Sequence, residues 1–305
     1  MKKSLLLVTS YLLLVTFLSG CTQKAKQKEV RFLMGTIVEV VSADPAAADI
    51  VFNEIKRIEN ILSKYREDSD VSLLNKSGSI MPSQELFFIV NKAKEFWQLS
   101  NGAFDITVAP LMDLWGFTNR QFRLPGEQEI KNTLKLIGSD KIILNEKKKE
   151  LTFKEKGMKI DLGAIAKGYA VDCAVEKLKK AGIKSALINA GGDIYCLGDK
   201  DGKPWQVAIQ NPRGKGFVKN LELKDRAVAT SGDYEQFFET GGKRYSHIFN
   251  PKTGRPSEEK VISVTVVAND CLTADALATT IFVLGRQKAA ELLKKFPGVE
   301  VEITE

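Results

Sequence analysis

The apolar residues of the chain recur with a helical period in several segments. Between Pro45 and Tyr65 they fall on one face of a predicted helix, with Asp44 as its cap and Pro45 in its first turn. Ser83 is the predicted cap of a second helix, which runs to Leu99. The same spacing predicts further helices over residues 127–137, 164–181, 273–284 and 286–296.

Short apolar runs separated by glycine-rich turns predict the strands. They cover residues 36–42, 141–144, 151–154, 185–189, 193–197, 205–210, 219–223, 227–230, 235–239 and 261–267. The segments 66–71 and 113–126 are predicted loops. Helices and hairpins come in blocks and do not alternate as βαβ units, so the pattern predicts an α+β fold with a mainly antiparallel sheet packed with helices.

The first twenty residues have the pattern of a secretion signal. Lys2 and Lys3 precede an apolar run from Leu5 to Leu18. As a helix this run is about 21 Å long, which is short of a hydrocarbon core of about 30 Å. The run ends in Leu-Ser-Gly before Cys21 and resembles the bacterial lipobox, in which the cysteine thiol receives a diacylglycerol. An uncleaved membrane anchor with an incidental cysteine is the alternative.

Three segments of different character follow from this pattern. Residues 1–20 are the predicted lipoprotein signal peptide, residues 21–29 a lipidated tether and residues 30–305 the globular domain. Several acyl chains on Cys21 would suffice for stable anchoring. We expect the domain to lie outside the cytoplasm, on the periplasmic or cell-surface side of a bacterial membrane.

Composition and charge exclude several classes of protein. Of 305 residues, 44% are hydrophobic and 27% charged, which is typical of a globular chain. The net charge of +7 falls to +5 without residues 1–20, which hold two lysines and no acids. Lysines are scattered among acids, so no nucleic-acid partner is expected. The single histidine excludes sites built on several imidazoles, and four cysteines without a C-x-x-C pair exclude the common zinc ribbons.

Two glycine-containing segments are candidates for ligand binding. Asp161 and two glycines stand at the start of a predicted helix with Lys167 on its second turn, an arrangement that can bind an anion such as phosphate. A capped surface helix would have the same pattern. Gly191 and Gly192 precede Asp193 between two predicted strands and allow a close approach to a ligand, although a plain hairpin turn is the alternative.

Two further positions are candidates for metal binding and proton transfer. Asp275 and Thr279 are four residues apart on a predicted helix, so their oxygens share one face and suit Mg²⁺. Asp275 could instead be only a first-turn charge. His247 is the only side chain with an ordinary pKa near neutrality, so it is the candidate general base, although a lone histidine is more often a partly buried polar aromatic.

Taken together, these motifs resemble those of the ApbE-type FAD:protein FMN transferases. The matching segments are residues 34–36, 102–107, 161–169, 189–193, 246–254 and 274–279, and the lipobox belongs to the resemblance too. The resemblance implies an ApbE-like fold related to the T-fold. It also implies an extracytoplasmic enzyme that takes FAD, uses Mg²⁺ and moves FMN onto a threonine hydroxyl of a target protein, releasing AMP.

The resemblance also assigns residues by position. The FAD site would be lined by Met34, Tyr65, Ala103, Phe104, Asp105, Asp161, Lys167 and Ile248. The metal would be held by the Ala164 carbonyl, Asp275 and Thr279.

The implied roles follow from phosphoryl-transfer chemistry. Mg²⁺ and Lys167 would neutralise charge on the phosphates, and Asp275 would be catalytic through the metal. His247 would accept the threonine proton or orient the hydroxyl, and Asp161 would bind adenine or hold the neighbouring loop. The implied partners are FAD, the membrane and flavoprotein subunits that carry an acceptor threonine, such as those of sodium-pumping or electron-transfer complexes. An Mg²⁺-dependent FAD pyrophosphatase and a non-enzymatic flavin-binding lipoprotein are the alternatives.

Overall fold

A computed structural model describes residues 27–305 of the chain. The signal segment, Cys21 and the tether up to residue 26 lie outside the described residues, so the predictions made for them stay predictions. In the described part, no helix is long and apolar enough to cross a membrane.

Helices and strands come in blocks along residues 27–305. The helices are α1 (Ala47–Leu62), α2 (Asp70–Ser77), α3 (Gln84–Leu99), α4 (Ala109–Leu114), α5 (Glu127–Leu134), α6 (Ala166–Lys180) and α7 (Cys271–Leu293). The strands are β1 (Gln27–Leu33), β2 (Thr36–Ser42), β3 (Ser79–Ile80), β4 (Ile142–Asn145), β5 (Glu150–Phe153), β6 (Ala186–Ala190), β7 (Asp193–Leu197), β8 (Trp205–Gln210), β9 (Phe217–Leu223), β10 (Arg226–Gly232), β11 (Phe237–Thr240), β12 (Lys243–Ser246), β13 (Phe249–Asn250), β14 (Arg255–Pro256), β15 (Ser263–Ala268) and β16 (Glu300–Thr304).

The central element is a 7-stranded sheet in the order β1-β2-β6-β7-β10-β15-β16, in which every neighbouring pair is antiparallel. Smaller sheets are formed by β3-β5-β4 and by the pairs β8-β9, β11-β12 and β13-β14. The predicted α+β fold with a mainly antiparallel sheet is therefore confirmed.

Both faces of the central sheet are covered. Helices α1, α6 and α7 pack on one face and enclose most of the core. The β8–β9 hairpin packs on the other face, with Trp205 and Leu221 against the sheet. Strand β2 shows the alternation that this requires, because Val38 and Val40 belong to the helix-side core and Val41 to the hairpin side.

Two helix starts can be compared with their predicted caps. Ser83 caps α3 as predicted, since its hydroxyl accepts a hydrogen bond from Leu86 N at 3.2 Å. Asp44 does not cap α1, which begins at Ala47 after a turn, and its carboxylate accepts a bond from Ala46 N at 2.9 Å. Asp44 therefore stabilises the turn before the helix.

Several elements differ from the sequence prediction, which also lacks the short elements β3, α4, β12, β13 and β14. Helix α2 was predicted as a loop at its start, because only Val71 and Leu74 are buried along its two turns. Strands β1 and β16 lie at the edges of the sheet and have few buried side chains, so they carry little apolar signal. Strand β1 begins at Gln27, within the predicted tether. The two predicted C-terminal helices form one element interrupted at Gly285, whose φ is 72°.

Candidate active site

The loop before α6 is held by three neighbouring segments. Asp161 N donates to the carbonyl of Ile106 at 2.7 Å, which joins this loop to the predicted FAD segment 103–105. One carboxylate oxygen of Asp161 accepts a bond from Gly163 N at 2.9 Å, and the other lies 2.5 Å from Lys64 Nζ. Only 14% and 15% of the Lys64 and Asp161 side chains are exposed, so this ion pair is well shielded from solvent.

Helix α2 fixes the position of this ion pair. The side-chain amide of Asn75 makes two bonds to Ile160: Nδ2 donates to its carbonyl at 2.9 Å, and Oδ1 accepts from its N–H at 2.7 Å. On the other side, Ser72 Oγ donates to the carbonyl of Lys64 at 3.1 Å. The helix that was missed in the sequence thus positions both Lys64 and Asp161.

Lys167 lies on the first turn of α6 between two buried carboxylates. Its Nζ is 2.5 Å from Asp193 Oδ2 and 3.8 Å from Asp275 Oδ2. The Asp193 and Asp275 side chains are 2% and 5% exposed, and that of Lys167 is 26% exposed. Burial alone would lower the pKa of Lys167, but the charges of Asp193, Asp275 and Glu235 outweigh burial and raise it, so the ammonium group stays protonated.

Of the predicted metal ligands, Asp275 bonds to the start of α6, and Ala164 lies two residues before this helix. Asp275 is on the second turn of α7, and its Oδ2 accepts a bond from Gly168 N at 3.1 Å. Gly168 N therefore bonds to Asp275 and not to the carbonyl of Ala164, four residues earlier in the turn that leads into α6. Thr279 is one turn beyond Asp275, and its hydroxyl is 3.0 Å from that of Ser231.

This donor set suits a hard cation. It offers a carboxylate, a hydroxyl and a main-chain carbonyl, which are the oxygen ligands that Mg²⁺ takes together with water and substrate phosphates. Residues 27–305 contain no group of three or more His, Cys, Asp or Glu side chains that could hold a metal ion. A metal at this position would therefore depend on the mixed oxygen donors of Ala164, Asp275 and Thr279.

His247 follows strand β12 and has a defined orientation. Its N–H and its ring Nδ1 both bond to the carbonyl of Gln236, at 3.0 and 3.1 Å. A carbonyl oxygen only accepts, so Nδ1 carries the proton and Nε2 of the neutral ring has a free lone pair. Burial lowers the pKa of His247, while Asp161 opposes this effect and Lys167 and Lys64 reinforce it. The imidazole is therefore neutral at pH 7 and lies among the charged groups of the site.

The other predicted FAD residues have different surroundings. The side chain of Phe104 is buried against Phe96, with 5.7 Å between the ring centres, and Ala103 and Ile248 are buried in the same core. Tyr65, by contrast, is 72% exposed beside Lys64, whose Nζ is 5.0 Å from the ring centre.

Two of the predicted FAD residues are held by hydrogen bonds of their own. Asp105 is buried and accepts bonds from Thr107 and Ser139, and burial raises its pKa. It also borders a cavity of about 360 Å³. Met34 has a φ of 52° in the turn between β1 and β2, and its N–H donates to Glu59 at 2.8 Å. That these residues contact FAD stays a prediction.

The glycine pair before β7 is a turn that approaches another strand. Gly191 has a φ of 63°, and a Cβ there would lie 2.2 Å from Thr36 Oγ1. Gly191 therefore approaches Thr36, two residues after Met34, whereas a Cβ on Gly192 would meet nothing within 4 Å, so the close approach of a ligand to this turn stays a prediction. The contact of Gly191 with Thr36 connects the Met34 turn with Asp193 and hence with Lys167.

Two functional candidates were missed in the sequence. In the sequence, Asp193 has the pattern of a glycine turn and Lys64 stands in no motif. Both become conspicuous only through their ion pairs with residues distant along the chain, Lys167 and Asp161. The spacing of residues in the sequence carries no signal for such pairs.

Comparisons with known proteins identify the family of the chain. The sequence model of the ApbE family matches residues 34–303. An FAD:protein FMN transferase from Vibrio cholerae is 35% identical over 287 residues, which cover 89% of this chain and 85% of the relative.

Solved structures give the same result. The crystal structure of an ApbE protein from Thermotoga maritima has a TM-score of 0.85 and 36% identity, covering 91% of this chain and 94% of the other. That of the flavinyl transferase ApbE from Pseudomonas stutzeri, in its apo form, has a TM-score of 0.83 and 32% identity, covering 93% and 92%. These similarities define an enzyme of the transferase class. The chain belongs to the ApbE family.

Proposed function

We propose that this protein is an Mg²⁺-dependent FAD:protein FMN transferase that attaches FMN to a threonine hydroxyl of a target protein and releases AMP. This chain belongs to the ApbE family and is about one-third identical to named FAD:protein FMN transferases. Its activity is therefore flavin transfer from FAD to a protein acceptor. The metal, the threonine and the roles of individual residues are the proposed part.

The observation that carries the proposal is the position of Lys167 beside Asp275 at the start of α6. An ammonium group and an oxygen-rich metal site next to one another are suited to a diphosphate, whose negative charge both can neutralise. When bound, Mg²⁺ would neutralise the charge that develops on the phosphate oxygens. Asp275, Thr279 and the carbonyl of Ala164 would hold it.

In the proposed reaction, His247 accepts the proton of the threonine hydroxyl. The threonine oxygen attacks the phosphorus on the FMN side of the diphosphate, and the bond from this phosphorus to the bridging oxygen breaks. AMP leaves with that oxygen. The hydroxyl proton passes to Nε2 of His247, which the bond from Nδ1 to Gln236 leaves available.

Lys64 and Asp161 support the proposed binding of FAD. Asp161 is fixed by Lys64 and by the backbone bond to Ile106, so its carboxylate is ordered before a ligand arrives. Tyr65 follows Lys64 directly and presents an exposed ring, which is suited to stacking on a planar base. This arrangement supports the prediction that Tyr65 and Asp161 bind FAD.

We also propose that Cys21 is lipidated and anchors the enzyme to the outer side of a bacterial membrane. The support is the sequence alone: a basic start, a short apolar run and small residues before a cysteine. Only residues 22–26 separate Cys21 from strand β1, so the domain would be held close to the bilayer. Growth with labelled palmitate should label the protein, and Cys21→Ser should abolish the label.

Covalent transfer is tested with two acceptor proteins. Purified enzyme is mixed with FAD, Mg²⁺ and a flavoprotein subunit that carries its acceptor threonine, or with the same subunit after replacement of that threonine by alanine. We expect AMP release together with flavin fluorescence on the denatured threonine acceptor only. AMP and free FMN without a labelled band would identify a pyrophosphatase instead, and intact FAD bound to the protein would identify a binding protein.

A further inference from the structure

We propose that Asp172 is a positioning residue for Asp275, and that it acts by fixing the start of helix α7 against helix α6. The inference rests on the proposed function, because Asp275 needs an exact position only if it binds a metal beside the diphosphate. Asp172 is not one of the predicted FAD or metal ligands, and it makes its bonds to the backbone of α7.

The carboxylate of Asp172 bonds to the first two residues of α7 with both oxygens. Oδ1 accepts from Cys271 N at 2.8 Å, and Oδ2 accepts from Leu272 N at 2.8 Å. These are N–H groups that have no partner within their own helix. Burial raises the pKa of Asp172 to about 7, and the bonds from these two N–H groups oppose this effect because they favour the ionised carboxylate.

A third bond runs in the opposite direction between the same helices. Gly168 N of α6 donates to Asp275 Oδ2 of α7 at 3.1 Å. Gly168 and Asp172 are four residues apart on α6, and Cys271 and Asp275 are four residues apart on α7. Each helix thus contributes a carboxylate to the backbone of the other on matching faces, one turn apart.

The backbones of the two helices meet at the same place. A Cβ added to Gly168 would lie 2.4 Å from the carbonyl oxygen of Cys271 and 2.9 Å from Leu272 Cα. Packing and hydrogen bonding therefore specify the same relative position of α6 and α7. The position of Asp275 relative to Ala164 and Lys167 follows from it, because these residues lie at the start of α6.

The structure offers a matched control at the same helix end. Asp270 is the N-cap residue of α7, and its Oδ1 accepts a hydrogen bond from Thr273 N at 2.8 Å. Asp270→Ala should therefore lower the stability of α7 without removing a bond to α6. Asp172→Ala removes both bonds to α6.

The test measures metal affinity and not turnover. Mn²⁺, which takes the same oxygen ligands as Mg²⁺, is titrated into the full-length protein in detergent with FAD and without an acceptor, and free Mn²⁺ is followed by electron paramagnetic resonance. We expect Asp172→Ala to weaken Mn²⁺ binding by at least about tenfold, the loss typical for removal of a residue that orients a metal ligand. Asp270→Ala should change the dissociation constant by less than about twofold.

The outcomes separate this inference from the proposed function. If the wild-type protein binds no Mn²⁺, or if Asp275→Ala binds it unchanged, the proposed metal site is wrong and this inference is overturned with it. If Asp275→Ala loses binding and Asp172→Ala does not, only the positioning role is wrong. Equal losses of Mn²⁺ affinity in Asp172→Ala and Asp270→Ala would show that Asp172 contributes only to the stability of α7, and the positioning role would be wrong. Should Asp172→Ala not fold, Asp172→Asn retains one acceptor oxygen and must still bind Mn²⁺ more weakly than Asp270→Ala.

Discussion

Replacement of Lys167 by methionine should destabilise the fold through the carboxylates that it leaves behind. Lys167 Nζ is 2.5 Å from Asp193 Oδ2, and the Asp193 side chain is 2% exposed. Methionine has nearly the length of lysine and fills most of its volume, so the loss of packing is small. What remains is a buried carboxylate without its cation, and such a change typically costs about 3–5 kcal/mol of unfolding free energy.

A double-mutant cycle isolates this contribution. In a chain that already carries Asp193→Asn, the Lys167→Met change leaves a neutral amide in place of a charge, and we expect it to cost about 1–2 kcal/mol. The difference, about 2–3 kcal/mol, is the coupling between the two side chains. Asp275 is 3.8 Å from Lys167 in both backgrounds, so its contribution cancels.

Urea denaturation followed by tryptophan fluorescence and circular dichroism measures the four free energies. FAD affinity provides the functional control. The double variant should be more stable than the sum of the two single changes predicts, but its FAD affinity should stay low. A coupling below about 0.5 kcal/mol would show that Lys167 and Asp193 do not form a buried pair. The account of the Lys167 environment would then be wrong.

Three further changes test other parts of the site. Since burial lowers the pKa of His247, its protonation requires more acid than that of an ordinary imidazole, and kcat should persist to a lower pH than such a group would allow. His247→Gln should lower kcat by about 100-fold or more with FAD affinity retained. Asn75→Leu removes both bonds to Ile160 and should raise the Kd for FAD, measured by flavin fluorescence, several-fold more than it changes kcat. Gly191→Ala places a methyl against Thr36 at positive φ and should cost about 1–3 kcal/mol in urea denaturation.

The parts of the fold that the sequence predicted are those with a strong apolar period. Helix α3 has its predicted cap and end, and strands β7 and β8 have their predicted bounds, because their apolar residues recur at short intervals and their ends are marked by turns. Helix α2 was missed because it buries little and functions mainly through polar bonds from Ser72 and Asn75.

The same distinction applies to the site. Asp275 and Thr279 were predictable because a helix brings residues four apart to one face. The Lys64–Asp161 pair joins residues 97 apart along the chain, and the Lys167–Asp193 pair joins residues 26 apart. Only the packing of α2 and of β7 against α6 places these groups together, and no local pattern encodes that packing.

The charges of the site predict that FAD binding depends on a divalent cation. Lys167 is in contact with Asp193 and Asp275, so one positive charge faces two carboxylates, and Glu235 adds a further negative charge nearby. Lys64 is already paired with Asp161. A diphosphate that enters this site brings more negative charge into a partly buried region, which is costly unless a cation enters too.

We therefore expect FAD to bind at least about tenfold more weakly in EDTA than in Mg²⁺, a difference of about 1.4 kcal/mol. Isothermal titration with FAD in the absence of an acceptor measures both constants. Asp275→Asn removes one of the negative charges as well as a predicted ligand, so it should weaken binding in Mg²⁺ but bring the two constants closer together. If wild-type protein binds FAD equally well in both buffers, Lys167 and Lys64 are sufficient for the diphosphate, and the charge argument for a metal is refuted.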